Sequence, residues 1–203
     1  MRLENKIAIV TGASRGIGRS ISSTFAREGA DVVVNFASSK GKADDVVNTI
    51  TGMGRRAIAV QADVANRDQV LMMVDRTIKE FNKIDVLVNN AGLMIRKDLF
   101  DTSIDEWERI LRVNLLGTYN CMQAVAPHMI KRRYGKIMNT SSVASMGTSI
   151  AKQVLYAPSK AAVNVLTKKV AHELGPYNIN VNAIAPGGVR TEMAVSYTHL
   201  TLP

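Results

Sequence analysis

Cysteine is almost absent from this 203-residue chain. Cys121 stands alone, so no intrachain disulfide can form, in keeping with a reducing, cytoplasmic setting. It lies in an apolar helical pattern and reads as core. Histidine is scarce as well: His128, His172 and His199 show no metal-ligand spacing, which argues against a metal centre. Aromatic residues make up only 5% of the chain, and the single tryptophan, Trp107, reads as a core anchor. No run is long and apolar enough to span a membrane. The N-terminus carries Glu4 and leads straight into a buried-strand pattern, unlike a signal peptide. Linkers, internal repeats and low-complexity segments are missing. Acidic residues are outnumbered, 17 against 26 Lys and Arg, giving a net charge of +9. That excess is scattered, and its densest cluster, Lys131 to Arg133, falls at an expected helix C-terminus, where cations are favourable anyway. There is no basic face or aromatic platform of the kind nucleic-acid binding needs. The chain is therefore expected to bind neither nucleic acid nor membrane.

What is present is alternation. Apolar runs at 7–11, 31–35, 57–61, 85–89, 136–140 and 180–184 read as strands. Helical periodicity fills 17–28, 42–53, 67–81, a long stretch at 104–130, and 156–174 with Gly175 as its cap. The Val32-Val33-Val34 and Val86-Leu87-Val88 runs are apolar at every position, as strands covered on both faces must be. Repeated βα units predict an α/β fold, a doubly wound parallel sheet with helices on both faces. Such sheets bind ligands at the carboxyl ends of their strands.

Those ends carry the chemistry. After the first strand, Gly12, Gly16 and Gly18 link strand to helix, with Ser14, Arg15 and Ile17 between them. Glycines there allow close backbone approach and present N–H groups to a pyrophosphate. About 20 residues on, a carboxylate for a ribose hydroxyl is expected. The chain has Asn35, Ser38, Ser39 and Lys40 instead. A missing acid with Arg15 nearby favours a 2′-phosphate, hence NADP over NAD. For Lys40 an ordinary turn is the preferred reading. Asp63 and Val64 end the third strand, where they can meet an adenine edge, though Asp63 also suits a helix cap. Asn90, Ala91 and Gly92 follow the fourth strand. Asn114 is a polar residue in an apolar helical pattern and needs hydrogen-bond partners. Thr140, Ser141 and Ser142 follow the fifth strand, and Pro186, Gly187, Val189 and Thr191 follow the sixth. Tyr156 and Lys160 lie four apart, on one helical face. A lysine charge close to the phenol is expected to lower its pKa toward neutrality.

Taken in order, Thr-Gly-x-x-x-Gly-x-Gly, Asn-Asn-Ala-Gly, the mid-helix Asn, Ser before Tyr-x-x-x-Lys, and Pro-Gly resemble the short-chain dehydrogenases/reductases. The resemblance covers about 6–193 and is to the single-domain branch, especially 3-oxoacyl-acyl-carrier-protein reductases and related sugar and alcohol dehydrogenases. It implies a Rossmann-type sheet in the order 3-2-1-4-5-6. It implies a catalytic set in which Tyr156 donates the proton, Ser142 holds the carbonyl oxygen, Lys160 tunes Tyr156 and binds ribose, and Asn114 holds a relaying water. It implies cofactor contacts from Gly12, Ser14, Arg15, Gly16, Ile17, Gly18, Asn35, Ser38, Asp63, Val64, Asn90, Ala91, Gly92, Tyr156, Lys160, Pro186, Gly187, Val189 and Thr191. The expected activity is hydride exchange between NADP and a carbonyl or secondary alcohol, most like reduction of a 3-oxoacyl thioester in fatty acid synthesis. The competing reading is a non-catalytic dinucleotide-binding regulator, which would have no need of all four catalytic residues.

Two departures stand out. Ser142 to Tyr156 is one residue longer than the commonest family spacing, and Ser141 is further still. The family pattern also fails after Met193. Residues 195–203 resemble a translated sequencing adapter. The expectation is an incomplete domain at 1–194 whose seventh strand is missing. Family relatives are homo-oligomers, an assembly that is doubtful without those C-terminal elements.

Overall fold

The computed structural model describes residues 1–148 and 150–191. The tail at 195–203 lies outside them. Six parallel strands form one sheet: β1 (Ile7–Val10), β2 (Asp31–Phe36), β3 (Ala57–Gln61), β4 (Val86–Asn89), β5 (Gly135–Thr140) and β6 (Ile179–Ile184), in the order β3-β2-β1-β4-β5-β6. This is the Rossmann order expected from the sequence. The helices between them are α1 (Gly16–Arg27), α2 (Lys40–Thr51), α3 (Arg67–Phe81), α4 (Ile104–Leu111), α5 (Gly117–Arg132) and α6 (Tyr156–Leu174).

The apolar runs are explained by two cores, one on each face. Side chains of a strand alternate between faces. Ile7, Ile9, Val33 and Leu87 therefore enter one cluster with Val74, Met129 and Ile137. Ala8, Val10, Val32, Val34 and Val88 enter the other, with Val46 and Ile50 of α2. Every residue of β1, β2 and β4 is buried, so a polar residue at any of these positions meets core. Cys121 is fully buried, and burial pushes its thiol up to about 12. Trp107 packs against a third, smaller cluster of Ile110, Leu155 and Tyr156, which anchors α4 to the start of α6.

Two local features differ from the sequence reading. The helix expected over 104–130 is divided by a wider π-helical turn at Arg112–Leu116. A turn of this kind inserts an extra residue and re-aims the side chains within it, and Asn114 sits inside it. Pro127, by contrast, is accommodated within α5. The cap of α3 is Asn66, whose side chain accepts from the Gln69 N–H. Asp63 instead accepts from the Ala65 N–H at 2.9 Å, closing a short turn after β3. Gly175 does cap α6.

At the amino-terminal ends of the central strands β1 and β4, the buried Asp85 carboxylate accepts from the Ile7 N–H at 2.9 Å and from Arg132 at 2.7 Å. Lys83 pairs with it at 3.1 Å. No helix among the described residues is long and apolar enough to cross a membrane, and these residues hold no His, Cys and carboxylate cluster fit for a metal ion.

Candidate active site

The strand order reverses between β1 and β4, and a crevice opens there. β1 feeds a loop in which Gly12 and Gly16 have φ of +61° and +55°, a region open to glycine. A side chain on Gly12 would meet the Ala91 Cα at 2.9 Å, and one on Gly18 would meet the Gly12 carbonyl oxygen at 2.4 Å. The loop is braced from three sides. The Thr11 hydroxyl accepts from the Asn90 and Ala91 N–H groups, each at 2.9 Å. Asn90 Nδ2 donates to the Thr11 and Gly12 carbonyls. Asn35 Oδ1 accepts from the Gly12 N–H at 3.2 Å, while its Nδ2 donates to the carbonyls of Val60 and Ala62. α1 then begins at Gly16, with Arg15 at the N-cap, no side-chain cap and no acidic residue in the first turn. Exposed N–H groups without a competing carboxylate suit a phosphate.

The loop opens onto a cavity of about 1030 Å³. Of the residues expected at the site, Gly12, Ser14, Arg15, Gly16, Ile17, Asn35, Ser38, Asp63, Val64, Asn90, Ala91, Gly92, Ser142, Tyr156, Lys160, Pro186, Gly187, Val189 and Thr191 all line it. Gly18 and Asn114 do not. Gly18 stands behind the loop, where its bare Cα lets α1 close on Gly12. Asn114 reaches the site only through its neighbours. Asn35 lines the cavity, but both ends of its amide are engaged by backbone, so it shapes the loop. Behind β2 the lining offers Asn35 through Ser39 and no carboxylate. Lys40 is not part of the lining and pairs with Asp44 at 2.6 Å.

Across the cavity, α6 supplies Tyr156 and Lys160. Tyr156 and Ser142 both line the cavity, and Ser142 acts on the phenol to lower its pKa. Ser141, one residue earlier on an extended chain, points away, and its hydroxyl donates to the Lys160 carbonyl at 3.2 Å. Lys160 is buried, and its Nζ donates to the Thr140 carbonyl at 2.7 Å. It stands 5.9 Å from the Tyr156 ring centroid.

The electrostatics correct one expectation. Burial raises the Tyr156 pKa, and Ser142 only partly offsets it. Burial also pushes the Lys160 ammonium down, to about 8. Spacing alone suggested a phenol depressed by a lysine charge. In the folded chain desolvation disfavours both charged forms and outweighs that attraction.

Asn114 is fully buried. Its Oδ1 accepts from the Leu93 N–H at 2.8 Å, and its Nδ2 donates to the Leu93 carbonyl at 3.0 Å and to Ser159 Oγ at 2.9 Å. A Cβ on Gly92 would lie 3.2 Å from Asn114 Oδ1 and 3.4 Å from Lys160 Nζ. Gly92 thus leaves a gap between amide and ammonium. Three participants escaped the sequence reading, Leu93, Gln153 and Ser159, while Thr11 was read only as the head of the glycine motif. Gln153 lines the cavity with a buried, unpartnered Oε1, and its position one helical turn before Tyr156 was the available signal. Leu93 acts through backbone, which no side-chain pattern reveals.

Comparison with known proteins agrees with this geometry. A family model described as short chain dehydrogenase matches residues 6–200. The 3-oxoacyl-(acyl-carrier-protein) reductase FabG of Staphylococcus epidermidis is 46% identical over 190 residues, spanning 93% of this chain and 77% of that protein. The 3-oxoacyl-(acyl-carrier-protein) reductase of Synechocystis is 44% identical over 191 residues, spanning 94% and 77%. A short chain dehydrogenase from Burkholderia cenocepacia, solved in complex with NADP, superposes with a TM-score of 0.92 at 39% identity and covers 98% of this chain and 80% of its own.

Proposed function

The chain belongs to the short chain dehydrogenase family, and from that premise we propose that it is an NADP-dependent oxidoreductase reducing the keto group of a 3-oxoacyl thioester. The observation that carries the reading is a single cavity with a phosphate-suited glycine loop on one wall and Ser142, Tyr156 and Lys160 on the other. The domain is taken to be residues 1–194, working where acyl thioesters are made, in the cytoplasm.

The residues present fit a dinucleotide. The uncapped first turn of α1 and the bare Gly12 and Gly16 receive its pyrophosphate. Arg15 and Ser38 line the cavity beyond β2, where no carboxylate opposes a 2′-phosphate. The nicotinamide supplies a hydride when bound. Tyr156, kept protonated by burial, donates a proton to the carbonyl oxygen as negative charge develops there. Ser142 hydrogen-bonds that oxygen and stabilises it. Lys160, held by the Thr140 carbonyl, contributes positive charge beside the phenol and a donor for a ribose hydroxyl. Asn114 and Lys160 flank the gap left by Gly92, where a water can hand a proton onward.

The test is NADPH oxidation with acetoacetyl-N-acetylcysteamine, followed at 340 nm, alongside a sugar and a secondary alcohol as competing substrates. Turnover of the thioester with NADPH in preference to NADH supports the reading. Nucleotide binding without turnover of any carbonyl would favour the non-catalytic regulator.

A further inference from the structure

We infer that Ser159 is a positioning residue of the proton-transfer set, the joint through which Asn114 is tied to the first turn of α6. This rests on the functional reading above, and no motif assigns Ser159 a part in it.

Ser159 is fully buried and makes two hydrogen bonds of opposite sense. Its hydroxyl donates to the Tyr156 carbonyl at 2.7 Å. Because a hydroxyl has one proton, that bond commits it, and toward Asn114 the oxygen can only accept. It does so from Asn114 Nδ2 at 2.9 Å. Serine bonding back to a carbonyl within its own helix is common. Here it also orients the lone pairs at a second element.

The consequence is for Asn114. Leu93 fixes which way the amide faces by taking Oδ1 and one N–H. Leu93 belongs to the loop after β4 and says nothing about where α6 stands. The remaining N–H goes to Ser159. Both amide protons are thereby used, and Oδ1 is left turned to the gap at Gly92 opposite Lys160 Nζ. The π-helical turn that carries Asn114 has no side-chain contact to Tyr156 or Lys160 among the hydrogen bonds of the described residues. Ser159 is its polar link to the helix that bears both. Without it, one amide proton of a buried Asn114 has no acceptor, a situation buried polar groups avoid, and that N–H is left to recruit solvent.

The experiment uses the full chain with 15N-labelled asparagine. The Asn114 side-chain amide signal is assigned by its loss in Asn114→Ala. In the unsubstituted chain it exchanges slowly with solvent. In Ser159→Ala, and in Ser159→Cys as a near-isosteric second variant, exchange of that signal speeds up by about tenfold or more, the equilibrium worth of one hydrogen bond. In parallel, kcat for NADPH-dependent thioester reduction falls by a similar factor while the NADPH Kd is unchanged. Loss of kcat in the Ser159→Ala, Asn114→Ala double variant is no greater than in Asn114→Ala alone. An unchanged Asn114 signal and kcat in both serine variants, or losses that simply multiply, would overturn the inference. If the unsubstituted chain shows no turnover, the functional reading fails by itself, and the exchange measurement still decides whether Ser159 holds Asn114.

Discussion

The Lys160 ammonium donates to the carbonyl of Thr140 at 2.7 Å, so a proton on this lysine is held by backbone, with the Tyr156 ring 5.9 Å away. Burial lowers the lysine to about 8 and raises Tyr156. The phenol therefore stays protonated across the working range, and the lysine is the group that titrates within it. Reduction should be steady at low pH and should fall as pH rises through about 8, where the ammonium loses its charge. A profile of kcat/KM against pH reads this limb for the free enzyme. The limb disappears in Lys160→Met along with most of the activity. A profile flat to pH 10 would contradict the assignment.

Tyr156→Phe removes the proton donor and leaves a ring of the same shape. Tyr156 packs with Ile110, Leu155 and Ala144, contacts that the phenyl ring preserves. Folding and NADPH binding should be nearly unchanged, while kcat falls by about a hundredfold or more. Ser142→Ala acts on the same oxygen and should cost about as much. Stopped-flow transfer of hydride together with NADPH fluorescence titration separates binding from chemistry.

The glycines divide into two groups with opposite expected signs. Gly18→Ala puts a methyl 2.4 Å from the Gly12 carbonyl oxygen and 2.6 Å from Asn90 Nδ2, and both belong to the braced loop. It should destabilise by about 1–3 kcal/mol and weaken NADPH binding beyond that. Gly41→Ala, on an exposed turn of α2 with open space around its Cα, should stabilise by up to about 1 kcal/mol through helix propensity. Thermal melts with and without NADPH measure both. Equal behaviour of the two variants would mean that close approach is not what holds glycine at position 18.

Much of this was legible in the sequence, for a physical reason. Strands buried on both faces need apolar runs such as Val32-Val33-Val34, and close approach needs glycine, so both leave marks in the one-letter string. Most of the side chains expected at the strand ends do line the one cavity, because their types are chemically restricted, but Gln153 lines it too and carried no such mark. The misses share a cause. Asn35 acts on backbone groups from other elements, Ser159 on the Tyr156 carbonyl of its own helix and on the Asn114 amide, and Leu93 acts through its own backbone. The π-helical turn at Asn114 depends on tertiary packing, since helical periodicity continues across it. The Tyr156 pKa was misjudged because spacing places a charge but carries no measure of burial. Asp63 was read correctly as a residue at the strand end, yet the capping role belongs to Asn66, three residues on.

At the amino-terminal ends of the central strands, acid stability should depend on Asp85. Burial alone would raise its carboxyl, but hydrogen bonds from Arg132, the Ile7 N–H and Lys83 together outweigh that and hold the pKa below the usual value. A carboxyl lower in the folded chain than in the unfolded one contributes stability above the unfolded pKa of about 4, and this is lost as pH falls through the lower folded value. Asp85→Asn keeps an acceptor for Ile7 and removes the charge. It should cost about 1–3 kcal/mol at pH 7, the range for hydrogen bonds to a charged group. As pH drops below the unfolded value toward the lower folded one, the contribution of the charge is lost, so the two melting curves should draw together. Because Asp85 bridges the start of β1 to the end of α5, the loss should be global rather than local. Urea titrations at pH 7 and pH 3 distinguish these outcomes, and a stability gap that persists unchanged at pH 3 would show that the charge of Asp85 is not what the fold relies on.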